Sequence, residues 1–183
     1  MEPERTPLRD TNISQVEERI KMIDQNKPLE AYSDAELIDA LNSKNEQESY
    51  ALLKLVFAEN ARSDRYYSCF EDFLRMIGGK TSFTRMRGFG LCASLAKWDR
   101  ENKIDAHLNE MLVVLEDEKP STVRVALGWI GDMLRYKPYL AELIQKNLGR
   151  IDCGKYKDTM APLIKKDVEK LLEQLGDLSA RKA

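Results

Sequence analysis

The sequence predicts an all-α protein, a right-handed α-α superhelix of stacked helical hairpins with about nine helices. Three observations carry that prediction. Apolar residues recur at helical spacing along most of the chain. One stretch, Leu115, Asp117, Pro120, Val123, Arg124, Ala126, Ile130 and Leu134, closes an apolar helix, passes an acidic turn and opens a new helix. That stretch finds a counterpart about 37 residues upstream, and periods of 20–50 residues with two helices each mark stacked hairpins. Composition agrees: 183 residues rich in Leu, Ala, Glu and Lys, with only 9 Gly and 6 Pro, favour helices and suffice for one domain with a core.

The elements follow in order. Residues 1–10 read as a flexible arm, with Pro3 and Pro7 among charges. Residues 11–44 read as two capping helices. Ser14-Gln15-Val16-Glu17 and Ser33-Asp34-Ala35-Glu36 each form a capping box, in which the Ser oxygen accepts from an orphan amide and the Glu reaches back. Pro28 separates the two. The repeat array then spans 45–176. Its first hairpin, 45–79, pairs a helix bearing Leu52, Leu53, Val56 and Phe57 with one bearing Tyr66, Tyr67, Phe70, Phe73, Leu74 and Ile77. Gly78-Gly79 is expected to end it in a left-handed cap. The second, 82–117, pairs a helix near 83–98 (Met86, Phe89, Leu91, Cys92, Leu95) with one near 103–116 (Ile104, Leu108, Met111, Leu112, Leu115). The third, 120–151, carries Val123, Ala126, Leu127, Ile130, Met133 and Leu134, then Leu140, Leu143, Ile144 and Leu148 after Pro138. A closing helix, 158–176, carries Met160, Leu163, Ile164, Val168, Leu171, Leu172 and Leu175, with Pro162 in its first turn. Residues 177–183 are expected to be a flexible tail.

Aligning Val123-Arg124 with Met86-Arg87 places Ala126 on Phe89 and Ile130 on Ala93. Each first helix of a hairpin is then sandwiched by neighbours, which explains its wide apolar arc. On these residues the run Leu115, Asp117, Pro120, Val123-Arg124 and Ala126 resembles a HEAT repeat of the armadillo-like superfamily. The resemblance implies a ladder between stacked repeats formed by the inter-helix acid and the Arg after Val, here Asp117 and Arg124. The middle repeat departs from it, with Arg87 but Gly79-Lys80 in place of the acid, and the earliest repeat lacks both charges. The likeness is specific over about 82–152. The size and the closing segment from Tyr156-Lys157-Asp158 to Leu172 are similar to short bacterial HEAT-like proteins, which implies no activity.

Several classes are disfavoured. A net charge of −2 argues against binding polyanions by bulk charge, though a local basic patch stays open. No apolar run approaches the roughly 20 residues of a membrane span, and Met1 to Asp10 lacks the apolar stretch of a signal peptide. Cys69, Cys92 and Cys153 are odd in number and widely spaced, indicating neither a disulfide framework nor a zinc site. A reducing cytoplasm, no membrane, no metal and no cofactor are the expectations, and the Asn12-Ile13-Ser14 triplet reads as chance. Gly88-Phe89-Gly90 lies within a helical pattern and lacks the strand that a dinucleotide site requires. It reads as close helix packing, as do Gly128 and Gly131.

Two surfaces remain as candidates. The second helices of HEAT hairpins line a concave face, and their outward residues should include Ser68, Glu71, Asp72, Arg75, His107, Glu110, Gln145 and Lys146. Mixed charge there suits a protein or peptide partner. His107 with Glu110 one turn on has the spacing of a general-base pair, but no nucleophile or metal partner accompanies it, so a surface histidine is expected. The alternative is a nucleic-acid ridge. Residues 61–100 hold 8 basic residues against 4 acids, reversing the acidic balance of residues 1–60. Arg85, Arg87, Lys97 and Arg100 precede Arg124, Arg135 and Lys137 in the next repeat, with Trp98 and Trp129 near for stacking. Trp129, Asp132 and Arg135 invite comparison with the HEAT-like DNA-alkylation glycosylases. The competing reading is that the tryptophans fill gaps between repeats and the arginines pair with carboxylates. The leading expectation is therefore a non-enzymatic interaction scaffold.

Overall fold

The computed structural model describes residues 27–180. The arm at 1–10, the first capping helix with its Ser14–Glu17 box, and residues 181–183 lie outside the described residues. Among the described residues there are eight α-helices and no strand.

Helix α1 (Asp34–Leu41) opens at the expected capping box, where Ser33 Oγ accepts from the Glu36 amide at 3.3 Å and the Ser33 amide donates to Glu36 at 2.9 Å. Helix α2 (Glu46–Asn60) is capped by Asn45, whose side chain accepts from the Glu48 amide. A 3₁₀ turn (Tyr67–Cys69) leads into α3 (Phe70–Ile77). Helix α4 (Ser82–Ser94) is capped by Thr81. Helix α5 (Lys103–Met111) tightens into a 3₁₀ segment (Leu112–Glu116). Helix α6 (Pro120–Met133) begins on proline, whose missing N–H belongs to an orphan position anyway. A 3₁₀ turn (Pro138–Leu140) feeds α7 (Ala141–Leu148), and α8 spans Ala161–Ala180. Three helices are shorter than periodicity predicts, because turns at 67–69, 95–98 and 112–116 wind more tightly or break the α pattern.

Helices α2, α4, α6 and α8 form a row in which each packs on the next. Helix α3 packs on α4 and α5, α1 on α2, and α7 on α8. Burial is deepest at α4, in the middle of the row. Every residue from Arg87 to Ala93 of α4 is buried, as befits a helix covered by three neighbours. Leu52, Leu53, Val56, Phe73, Phe89, Val123, Ala126, Ile130, Ile164 and Leu171 belong to one continuous core. Leu143, Leu163 and Leu172 depart from their expected stripes and stand more than a third exposed.

The glycines act through space rather than through backbone freedom. Gly78-Gly79 does not form the expected left-handed cap: Gly78 has φ −80°, and no described glycine has positive φ. A Cβ on Gly79 would instead lie 2.6 Å from Thr84 Cγ2 and 2.8 Å from the Met76 carbonyl, so the α3–α4 turn is too tight for any side chain. Gly88 lets α3 approach, its virtual Cβ 2.7 Å from Phe73 O. Gly131 faces Gln174 of α8 at 2.8 Å. Gly128 corrects the expectation of close packing, since nothing lies within 4 Å of it.

Candidate functional site

The outward residues of α3 and α5 come together on one face. Glu71, Arg75 and Glu110 are exposed, and Asp72 and His107 half-buried. Arg75 pairs with Asp72 one turn away, and His107 Nδ1 lies 3.2 Å from Glu110. Lys103 Nζ spans the helices to Glu71 at 3.8 Å, and the Phe70 ring lies 6.3 Å from the His107 ring. Ser68 is exposed at the edge, in the 3₁₀ turn before α3. Gln145 and Lys146 are exposed on α7, with no hydrogen bond or ion pair to this group among the described residues. Pairs of this exposed kind contribute a few tenths of a kcal/mol each, so the charges remain open to exchange partners.

The basic ridge is divided by helix geometry. Arg85 and Arg87 stand two residues apart on α4, about 200° around the helix, and cannot share a face. Arg85 turns to the next element: its Nε donates to Asp117 at 2.6 Å, Nη1 to the Gly79 carbonyl at 3.0 Å and Nη2 to Ser82 at 2.9 Å. Arg87 turns inward and is 3% exposed. Arg124 donates to Asp167 of α8 at 2.5 Å. Arg100 pairs with Asp64, and Arg135 with Asp132 at 3.4 Å. Lys97 lies 4.5 Å over the Trp98 ring and donates to the Ala61 carbonyl. Trp98 Nε1 donates to the Asn60 carbonyl at 2.6 Å, while Trp129 meets Phe57 edge-on at 5.3 Å across Gly90.

Asp117 and Arg124 both bridge successive elements, but with different partners from those the resemblance implies. Asp117 reaches back to Arg85, and Arg124 reaches forward to Asp167. Burial alone would push the Asp117 carboxyl up. Hydrogen bonds from Arg85, the Lys119 amide and Ser82 outweigh it and hold the group below its ordinary value.

A second buried cluster went unseen in the sequence. Lys137 joins Asp99 at 2.8 Å and Asp105 at 2.6 Å, with Asn102 Oδ1 at 3.2 Å. Asp99 also accepts from the Tyr67 hydroxyl and from the Lys103 and Ile104 amides. Burial would pull Lys137 down, yet its hydrogen bonds to Asp105 and Asp99 outweigh this and raise it. Burial, with the bond to Asp99, pushes Tyr67 up to about 12. An amine so firmly protonated is no nucleophile, and every group in the cluster is bonded to another, which makes it a structural tie. Lys137 stands 38 and 32 residues from Asp99 and Asp105, so no local spacing signals the cluster. The thiols are equally quiet: burial pushes Cys69 up to about 11 and Cys92 well above its ordinary value. Among the described residues no group of three His, Cys, Asp or Glu side chains is placed to hold a metal ion, and no helix is long and apolar enough to cross a membrane.

Comparison with protein-family models, with curated proteins and with solved structures finds no match.

Proposed function

We propose that the chain is a non-enzymatic, cytoplasmic interaction scaffold, a right-handed superhelix of HEAT-like hairpins that holds a protein or peptide partner on the face made by α3, α5 and α7. The observation that carries this reading is the division of labour between helices. The row α2, α4, α6 and α8 forms a spine in which each helix packs on the next, with α3 laid against α4 and α5. Helices α3 and α5 bury one side and present Glu71, Arg75, His107 and Glu110 on the other, linked across the helices through Lys103. Mixed, exposed and only locally paired charge suits a protein surface of complementary pattern. Gln145 and Lys146 would extend it.

The test is a pull-down from the native host with wild type and a Glu71→Lys, Arg75→Glu, Glu110→Lys variant. Loss of specific partners from the variant is expected, and identical partner profiles would discard the face. The nucleic-acid reading is weakened because Arg85 and Arg124 hold carboxylates and Arg87 and Lys137 are buried. A gel shift at low ionic strength should accordingly show no retained duplex or single strand.

A further inference from the structure

Among the described residues, Arg87 differs from Arg85 and Arg124 in holding no carboxylate. It is 3% exposed, its Nε has no hydrogen-bond partner, and Nη2 reaches only Thr84 Oγ1 at 3.5 Å. Among the described residues it forms no ion pair, whereas Arg85 and Arg124 each hold a carboxylate. Burial pushes its guanidinium down from the ordinary value, with only a weak opposing pull from Glu46. Buried cations are normally paired, so an orphan at a surface opening marks a place for an anion.

Such an opening exists. Arg87 lines a cleft of about 260 Å³ together with Glu46, Gln47, Tyr50, Phe83 and Met86, between the first two turns of α2 and of α4. Tyr50 and Phe83 stand about half exposed as its aromatic walls. We propose that this cleft receives an acidic side chain of a protein partner, with the carboxylate on Arg87 and an adjoining apolar side chain between Tyr50 and Phe83. Three features select that occupant. The planar guanidinium fork matches a carboxylate. Glu46 in the lining repels a phosphate dianion or a polyanion more than a single negative charge. The volume falls below the roughly 300–1,000 Å³ of small-molecule and cofactor sites, and fits one or two side chains of a larger ligand. This inference rests on the reading of the chain as an interaction module, but uses a surface separate from α3 and α5.

The experiment is an NMR titration of the full chain with acetyl-Phe-Asp-Leu-amide, its uncharged twin acetyl-Phe-Asn-Leu-amide, and phenyl phosphate. It follows the Arg87 Nε–H resonance and the rings of Tyr50 and Phe83. The Asp peptide should give saturable shifts at all three residues, with the Asn twin about tenfold weaker. Arg87→Met should abolish the preference for Asp over Asn. Phe83→Ala should weaken the Asp peptide while keeping the guanidinium, and so remains decisive if the Met variant does not fold. Equal binding of the two peptides, tighter binding of phenyl phosphate, or no saturable shift in the folded protein would each overturn the proposal. The α3/α5 charge-reversal variant should titrate like wild type, so failure of that face and failure of this cleft are read separately.

Discussion

Gly90 and Gly128 occupy neighbouring helices of the row in opposite circumstances. A Cβ on Gly90 would lie 2.5 Å from the Trp129 ring, which packs edge-on against Phe57. Gly128 is exposed with open space around it. Gly90→Ala should therefore destabilise by about 1–3 kcal/mol through overpacking. Gly128→Ala should stabilise by about 0.5–1 kcal/mol, because alanine loses less backbone entropy in a helix. Urea unfolding of both variants checks the opposite signs. Sequence shows where a glycine interrupts a helix but not what stands over it, so Gly128 and Gly131 looked alike until Gln174 was seen above one of them. The same blindness grouped Arg85 with Arg87, although helical geometry alone would have set them on different sides.

At the level of elements, local signals were legible and distant ones were not. The Ser33–Glu36 box and the apolar stripes of α4 and α6 declare themselves within a few residues. The start of α5 at Lys103 was also legible, but its cap was not. Its N-cap, Asn102, has φ 56° and makes no side-chain cap. Asp99 caps the helix instead, and Lys137, 38 residues away in the turn after α6, neutralises Asp99. Lys137→Met should leave Asp99 buried without a counter-charge and cost about 3 kcal/mol. Adding Asp99→Asn should recover part of that loss, and a double-mutant cycle measured by thermal unfolding tests the coupling. If the two substitutions prove additive, the tie does not hold α5 to α6.

Across the whole molecule, the all-helical class was legible because apolar spacing repeats in nearly every segment, whereas the partners of the bridging charges depend on how successive helices are stacked. Two of those charges also set the response to acid. Asp99 and Asp117 are buried carboxylates held below their ordinary value, by Lys137, Tyr67 and α5 amides in one case and by Arg85, Lys119 and Ser82 in the other. Because their folded values lie below their unfolded ones, their contribution is fully present at neutral pH. It is lost as pH falls below about 4 and through the lower folded values. Urea midpoints should drop over that range, and less steeply in an Asp99→Asn, Lys137→Met double variant. A midpoint independent of pH between about 4 and 2 would contradict the assignment.

The two indoles of the chain add a last consequence. Trp98 holds the final carbonyl of α2 and Trp129 leans on Phe57 of the same helix. Tryptophan emission, excited apart from the tyrosines, therefore watches the seating of α2 against the helices that follow. It is silent about how α7 meets α8, so an optical trace and a backbone-wide signal from this protein look at different parts of it.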